Sequence, residues 1–277
     1  MCDTVIFSTC WYEFKAKFDG SVFRGWIDNM LGNVNNYYLI VYTDESSRHY
    51  VQSYADKNPE RIKVVIKPME EFYGYVNKTQ WILNHERNNT LKDKVDWRVN
   101  MLWAEKLTFV WNTIQQNYFG LEVADSQLYG WCDIGYFRGR GNDLSVAELR
   151  NWPNPDKIKV LNPTKLHYGW VNNCTEYMNK LIVYINRRGK HGLPLYPIPE
   201  QQASIGGGFF ISGKDTIEWW KGVFYDKLQR YFDHGYLVKD DQMIIIDCFV
   251  EHMTRFHIHR EHTNVYDNWF MFQRLLL

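Results

Sequence analysis

Apolar and polar positions change period several times along the chain, and the changes mark out alternating strands and helices. Residues 4–9, TVIFST, are β-branched and apolar, the pattern of a buried strand. Ser21 stands where a helix N-cap belongs, ahead of Val22, Phe23, Trp26, Ile27 and Met30 at helical spacing, with Gly32 as the stop. A second apolar run over 37–42 ends in Thr43-Asp44, residues 46–55 read as a second helix, and 62–66 as a third strand stopped by Pro68. Strands separated by helical crossovers predict parallel pairing, the start of a nucleotide-binding α/β sheet.

From 75 to 118 the period is helical. Leu107, Val110, Trp111, Ile114 and Tyr118 repeat as one buried stripe, and Lys106 lies off it. The next strand, Tyr129-Gly130-Trp131-Cys132, delivers Asp133 at its carboxyl end. Prolines 153, 155, 163, 194, 197 and 199 punctuate the middle third and predict irregular chain with short helices. Beyond the glycine run 206–208 come a strand ending at Ile211, a helix over 216–231, and a further helix capped by Asp240 or Asp241 and running to Met253. A final strand over 255–259 precedes an aromatic tail over 266–272. The pattern predicts an α/β, Rossmann-type mixed sheet flanked by helices, in a single domain with insertions.

Composition narrows the function classes. With 45% apolar and 23% charged residues, neither wholesale disorder nor a membrane protein is suggested. Basic and acidic residues number 32 each, so there is no broad electrostatic footprint for nucleic acid, while a small anionic ligand needs only a local positive site. The 12 Trp, 19 Tyr and 16 Phe suit stacking on sugars or bases as well as core packing. Five cysteines, at 2, 10, 132, 174 and 248, show neither an even count nor a C-x-x-C spacing, which fits reduced thiols and a cytoplasmic setting. The N-terminus shows no leader pattern, and no apolar run approaches the roughly 20 residues of a membrane span.

Ligand crevices of open α/β sheets form at the carboxyl ends of strands, which is where Asp133 stands. Its plainer role is a turn-forming acid. No G-x-x-x-x-G-K-[ST] motif is present, nor a G-x-G-x-x-G between the first strand and helix, so the usual glycine-rich phosphate cradles are absent. A divalent ion held by a strand-end carboxylate is another way to neutralise a diphosphate. Gly206, Gly207 and Gly208 allow close approach of backbone to a ligand, or simply turn the chain. Of the adjacent acids Asp240 and Asp241, one reads as an N-cap, and the other is left with the raised pKa of a general base. His257 and His259, two apart on a strand, face the same side and form a candidate metal pair; His252 and His262 complete the local cluster.

With Trp131-x-Asp133-x-Gly135, the 206–213 glycine element and Asp240-Asp241-Gln242 in that order, the chain resembles the HtrL/YibB (WlaTC-like) family of bacterial glycosyltransferases over residues 4–260. The resemblance implies a GT-A-like domain with a nucleotide-sugar-binding half over about 1–135 and an acceptor-binding, catalytic half over about 136–277. It implies a UDP-sugar or related donor, a glycan acceptor, and Mn2+ or Mg2+. Ser8, Thr9, Thr43 and Asp44 would frame base and ribose, and Lys106 would contact the diphosphate or sugar. Asp133 would hold the metal and diphosphate, although Gly135 stands where the usual second acid would be. His257 or His259 would complete the metal site. Gly207, Gly208 and Phe209 would meet the acceptor, and Asp240 or Asp241 would deprotonate its hydroxyl in an inverting displacement. A carbohydrate-binding protein without turnover and a metal-dependent nucleotidyltransferase or phosphohydrolase are the competing classes.

Overall fold

In the computed structural model, which describes residues 5–122, 124–141, 143–261 and 265–277, all the named strands join one mixed sheet. The N-terminal half supplies β1 (Val5–Trp11), α1 (Gly20–Leu31), β2 (Tyr37–Thr43), α2 (Gln52–Lys57), β3 (Ile62–Ile66), α3 (Lys78–Arg87), α4 (Trp97–Gln116) and β4 (Leu128–Cys132). There follow α5 (Val146–Leu149), α6 (Pro155–Lys159), β5 (Leu166–Gly169), α7 (Thr175–Ile185), β6 (Phe209–Gly213), α8 (Lys214–Asp233), α9 (Asp241–Glu251), β7 (Phe256–His259) and α10 (Phe272–Leu275).

The strand order is β3-β2-β1-β4-β6-β5-β7. β1 pairs in parallel with β2 and β4, β2 with β3, and β5 with β7, whereas β6 runs antiparallel to both its neighbours. This single reversal has a functional consequence. The start of β6, and with it Gly206–Gly208, arrives at the edge where every other strand ends.

Alternation along the strands assigns the two faces. Ile6, Ile40, Tyr129, Trp131, Phe210 and Tyr168 point to the face covered by α4, α7, α8 and α9. Phe7, Leu39, Cys132, Phe209 and Ile211 point to the other, covered by α1 and the C-terminal segment from Phe270 to Leu276. Gly130 is forced by this packing: a Cβ there would stand 2.9 Å from the Phe7 ring.

Several predicted boundaries move. β1 runs on to Trp11, and Asp19, not Ser21, caps α1, its carboxylate accepting the Ser21 N–H. The expected helix over 46–55 is a 3-10 turn at Arg48–Tyr50 followed by the short α2, because Asp44 turns the chain through the Ser47 N–H. β5 was not expected in the proline-punctuated stretch. Asp240 occupies the N-cap position of α9, yet its side chain makes no capping bond. Cys10, Cys132, Cys174 and Cys248 are unpaired, and Cys2 and His262 lie outside the described residues. Among the described residues no helix is long and apolar enough to cross a membrane.

Candidate active site

At the carboxyl edge, between β4 and the reversed β6, lies a cavity of about 450 Å³. Trp11, Tyr12, Phe14, Trp103, Arg138 and Trp269 are among its walls, and Lys106, Asp133, Gly207, Gly208, Asp240 and Asp241 also line it.

The centre of this arrangement is Lys106. Its place in mid-α4 would suit a surface lysine, but α4 is enclosed by the sheet and by α8, so residues 104 to 110 are all buried. The Lys106 ammonium donates to the Gly207 carbonyl at 2.8 Å and lies 3.1 Å from Asp133 Oδ1 and 3.2 Å from Asp241 Oδ2. Burial works against the charge, but the two carboxylates outweigh it and hold the ammonium above the ordinary lysine value.

Asp133 leaves β4 on the Trp131 side of the sheet. Trp131 Nε1 donates to Asp133 Oδ1 at 2.6 Å, and the Asp133 N–H donates to the Gly208 carbonyl at 2.9 Å. Its carboxylate is partly exposed to the cavity, and Oδ2 accepts no hydrogen bond among the described residues. A Cβ on Gly208 would come within 3.2 Å of that oxygen, and a Cβ on Gly207 within 2.5 Å of Asp241 Oδ2. The glycines are needed here for close approach, not for a left-handed backbone.

Asp241 opens α9. Burial pushes its carboxyl above the usual aspartate range; Lys106 opposes the rise, and Asp240 and Asp133 add to it. Asp240 instead faces Lys239, whose ammonium stands 2.9 Å from Oδ2, and its buried Oδ1 has no partner. The two adjacent acids therefore have different surroundings, and only Asp241 joins Lys106.

The segment before α9 is held by three asparagines. Asn84 and Asn100 each donate to the Val238 carbonyl at 2.8 Å, Asn84 also accepts the Val238 N–H at 2.8 Å, and Asn88 donates to the Lys239 carbonyl at 3.0 Å. At its far end α9 is fixed through the buried Asp247, which accepts from Tyr231 at 2.8 Å and pairs with Arg188. These contacts join residues far apart in sequence, and nothing in the local pattern announces them.

Arg138 is a further cavity residue that the sequence did not single out. Its guanidinium lies 4.4 Å from the Trp26 ring centre and 4.7 Å from that of Phe270, and it forms no ion pair among the described residues. It is half-buried and faces the cavity, with Nε donating to the Gly135 carbonyl at 3.2 Å.

Other expected site residues lie elsewhere. Ser8 and Thr9 are interior strand residues, fully buried, with the Ser8 hydroxyl 2.7 Å from that of Thr113. Because β1 continues past them, Cys10, Trp11 and Tyr12 reach the cavity in their place. Thr43 donates to the Trp11 carbonyl at 2.7 Å, and Asp44 accepts the Ser46 hydroxyl at 2.9 Å and the Ser47 N–H at 2.7 Å, so both are engaged in chain geometry. Phe209 points to the opposite face of the sheet, where its ring stacks on Phe272 at 4.2 Å.

His257 and His259 do not converge with Asp133. They belong to β7, three strands from β4 and thus roughly 14 Å away at ordinary strand spacing, and alternation turns them to the face opposite Trp131. They meet His167 of β5 instead.

No family model matches the chain, and no curated protein matches it. Among solved structures, it is similar to the crystal structure of mouse xyloside xylosyltransferase 1 in its apo form. That likeness has 11% sequence identity and a TM-score of 0.47, and covers 92% of this chain and 85% of that one.

Proposed function

We propose that the chain is a glycosyltransferase that moves a sugar from a nucleoside-diphosphate donor, a UDP-sugar, to a hydroxyl of a glycan acceptor with inversion at the anomeric carbon. The observation that carries this reading is the Lys106 ammonium fixed between Asp133 and Asp241 in an aromatic-walled cavity. The resemblance of the two acidic motifs to the HtrL/YibB family supports the same reading.

The residues divide the work by charge. Lys106, Arg138 and Lys17 are cations that line the cavity and face a diphosphate bound there, and the open backbone at Gly207 and Gly208 lets a sugar approach without a side chain in the way. The aromatic walls offer stacking faces for base and sugar. Asp241 takes the proton from the acceptor hydroxyl. The hydroxyl oxygen forms its bond to the anomeric carbon as the bond to the diphosphate oxygen breaks, and the nucleoside diphosphate leaves with that electron pair. Burial suits Asp241 to this role, because a carboxylate with a raised pKa is the stronger base. Asp240 is paired with Lys239 rather than with Lys106, which leaves the base role to Asp241.

A magnesium or manganese ion fits at Asp133. The free Oδ2 is a hard oxygen donor, and such ions bind through one or two carboxylates together with substrate phosphates. Asp133 would hold the ion, which when bound would offset charge on the departing diphosphate. Lys106 already supplies one positive charge at that position.

The test is a panel of UDP- and GDP-sugars incubated with mixed oligosaccharide acceptors, with release of nucleoside diphosphate and the mass of the acceptor both followed. Acceptor mass rising by one sugar, in step with release, supports the reading; no mass gain with any donor overturns it.

A further inference from the structure

His167, His257 and His259 lie outside the Lys106 cavity, and β5 and β7 bring them together. His167 sits directly opposite His257 in the parallel register, and His259 lies two residues further along β7 on the same face. We propose that His167, His257 and His259 form a binding site for a divalent transition metal of the zinc class, separate from the Lys106 cavity and independent of the transfer reading.

One ligand nitrogen from each ring can be chosen so that all three lie within 4.8 Å of one another. His167 Nδ1 and His259 Nε2 are 3.0 Å apart. Two nitrogens bound at about 2.0–2.1 Å in a tetrahedral zinc site stand about 3.3 Å apart, so this pair needs only a few tenths of an ångström of adjustment.

The remaining nitrogen of His167 fixes its tautomer. Nε2 lies 2.9 Å from the Asn162 carbonyl, which can only accept, so Nε2 carries the proton and Nδ1 presents its lone pair. A backbone carbonyl orienting the far side of a ligating imidazole is the usual support of such a ligand. In the metal-free cluster the hydrogen bond to His167 Nδ1 is then donated by His259 Nε2. Metal entry moves that proton to His259 Nδ1, a change of tautomer with no net proton released.

Access and selectivity also follow. His257 is exposed and provides the way in, while His167 is buried and the His259 ring packs on Phe272 at 5.1 Å. Three imidazoles without a carboxylate favour zinc, cobalt, nickel or copper over magnesium or manganese. The bound ion would tie β5 to the edge strand β7.

The experiment is titration of chelator-stripped protein with Co2+. One equivalent should produce the visible absorption of tetrahedral cobalt, bleached by one equivalent of Zn2+ and unaffected by Mg2+. His257→Gln, at an exposed position, should weaken Co2+ binding at least about tenfold while the metal-free variant melts with wild type. Zn2+ should raise the Tm of wild type and not of that variant, and Asp133→Asn should bind Co2+ as wild type does. Absence of the cobalt spectrum, its persistence in His257→Gln, or its loss in Asp133→Asn would each overturn the proposal.

Discussion

Gly207 and Asp241 meet so closely that a single methyl group on the glycine would stand 2.5 Å from the carboxylate oxygen. That contact joins the reversed strand β6 to the start of α9, and the Gly207 carbonyl at the same point accepts from Lys106. Gly207→Ala should therefore move Asp241 without unfolding the sheet. A displacement near 1 Å at a reacting group can cost about 100-fold in rate. We expect a kcat loss of that order, with far-ultraviolet circular dichroism unchanged; retained kcat would mean that Asp241 is not positioned for the reaction.

Asp241→Asn keeps the shape and removes the base. Turnover should fall by roughly 100- to 10,000-fold, while donor affinity changes only a few-fold. In wild type, activity should be lost as pH falls through a pKa above the ordinary aspartate value, because the base works only when ionised. An equal loss of kcat and donor affinity in the variant would assign Asp241 to structure alone.

Lys106→Met should cost both stability and activity. It leaves Asp133 and Asp241 facing one another without the ammonium between them, and breaking a buried ion pair in this way costs about 3–5 kcal/mol. Chemical denaturation of Lys106→Met and of the Lys106→Met/Asp241→Asn double variant checks this. The second substitution should recover part of the loss, and purely additive losses would contradict the coupling.

Glu105, beside Lys106 on α4, gives the fold a pH dependence of its own. Burial raises its pKa from 4.5 to about 7, against the pull of the Tyr73 and Gly74 N–H groups that it accepts. The folded state thus holds a proton that the unfolded state has released between those values. This contribution is fully present below about 4.5, falls as pH rises to about 7, and is constant above, a loss on the order of 3 kcal/mol. Glu105→Gln should flatten the denaturation midpoint across that window; an unchanged slope would locate the dependence elsewhere.

Asn100→Ala tests how Asp241 is positioned. Asn84 still donates to the Val238 carbonyl, so loss of the Asn100 hydrogen bond costs about 0.5–1.5 kcal/mol, and the loosened segment leads directly into Asp241. The expected signature is a lower kcat with nearly unchanged KM for the donor. A change confined to Tm would make Asn100 structural only.

Periodicity made β2, β3 and β4 legible, along with the existence of α4 and α8, because burial on one side writes itself into local spacing. The helical reading over 75–118 divides into α3 and α4, and Trp111 and Tyr118 of the expected stripe are only half-buried while Lys106, off it, is buried. It also exposed Asp133, whose place follows from one strand ending at an acid. β5 escaped because it is only four residues long, among prolines, and takes its identity from pairing with β7 across 90 residues. Ser8 and Thr9 read as strand-end residues because Cys10 and Trp11 do not look like a continuing strand in isolation. Lys106 carried no local sign of its burial; its setting is made by α8, β4 and α9 closing around α4. His257 and His259 were legible as a pair, but the face they share and their partner His167 are properties of the sheet order.

The central claim is that the Lys106 cavity binds a nucleoside-diphosphate sugar. Calorimetric titration of wild-type protein with UDP and with UDP- and GDP-sugars, in the presence and absence of Mn2+, measures this directly, with Asp133→Ala as the companion. The account predicts that at least one nucleotide sugar binds and that Asp133→Ala weakens it at least about tenfold while the protein stays folded. No binding of any nucleotide, or equal affinity in Asp133→Ala, would contradict it.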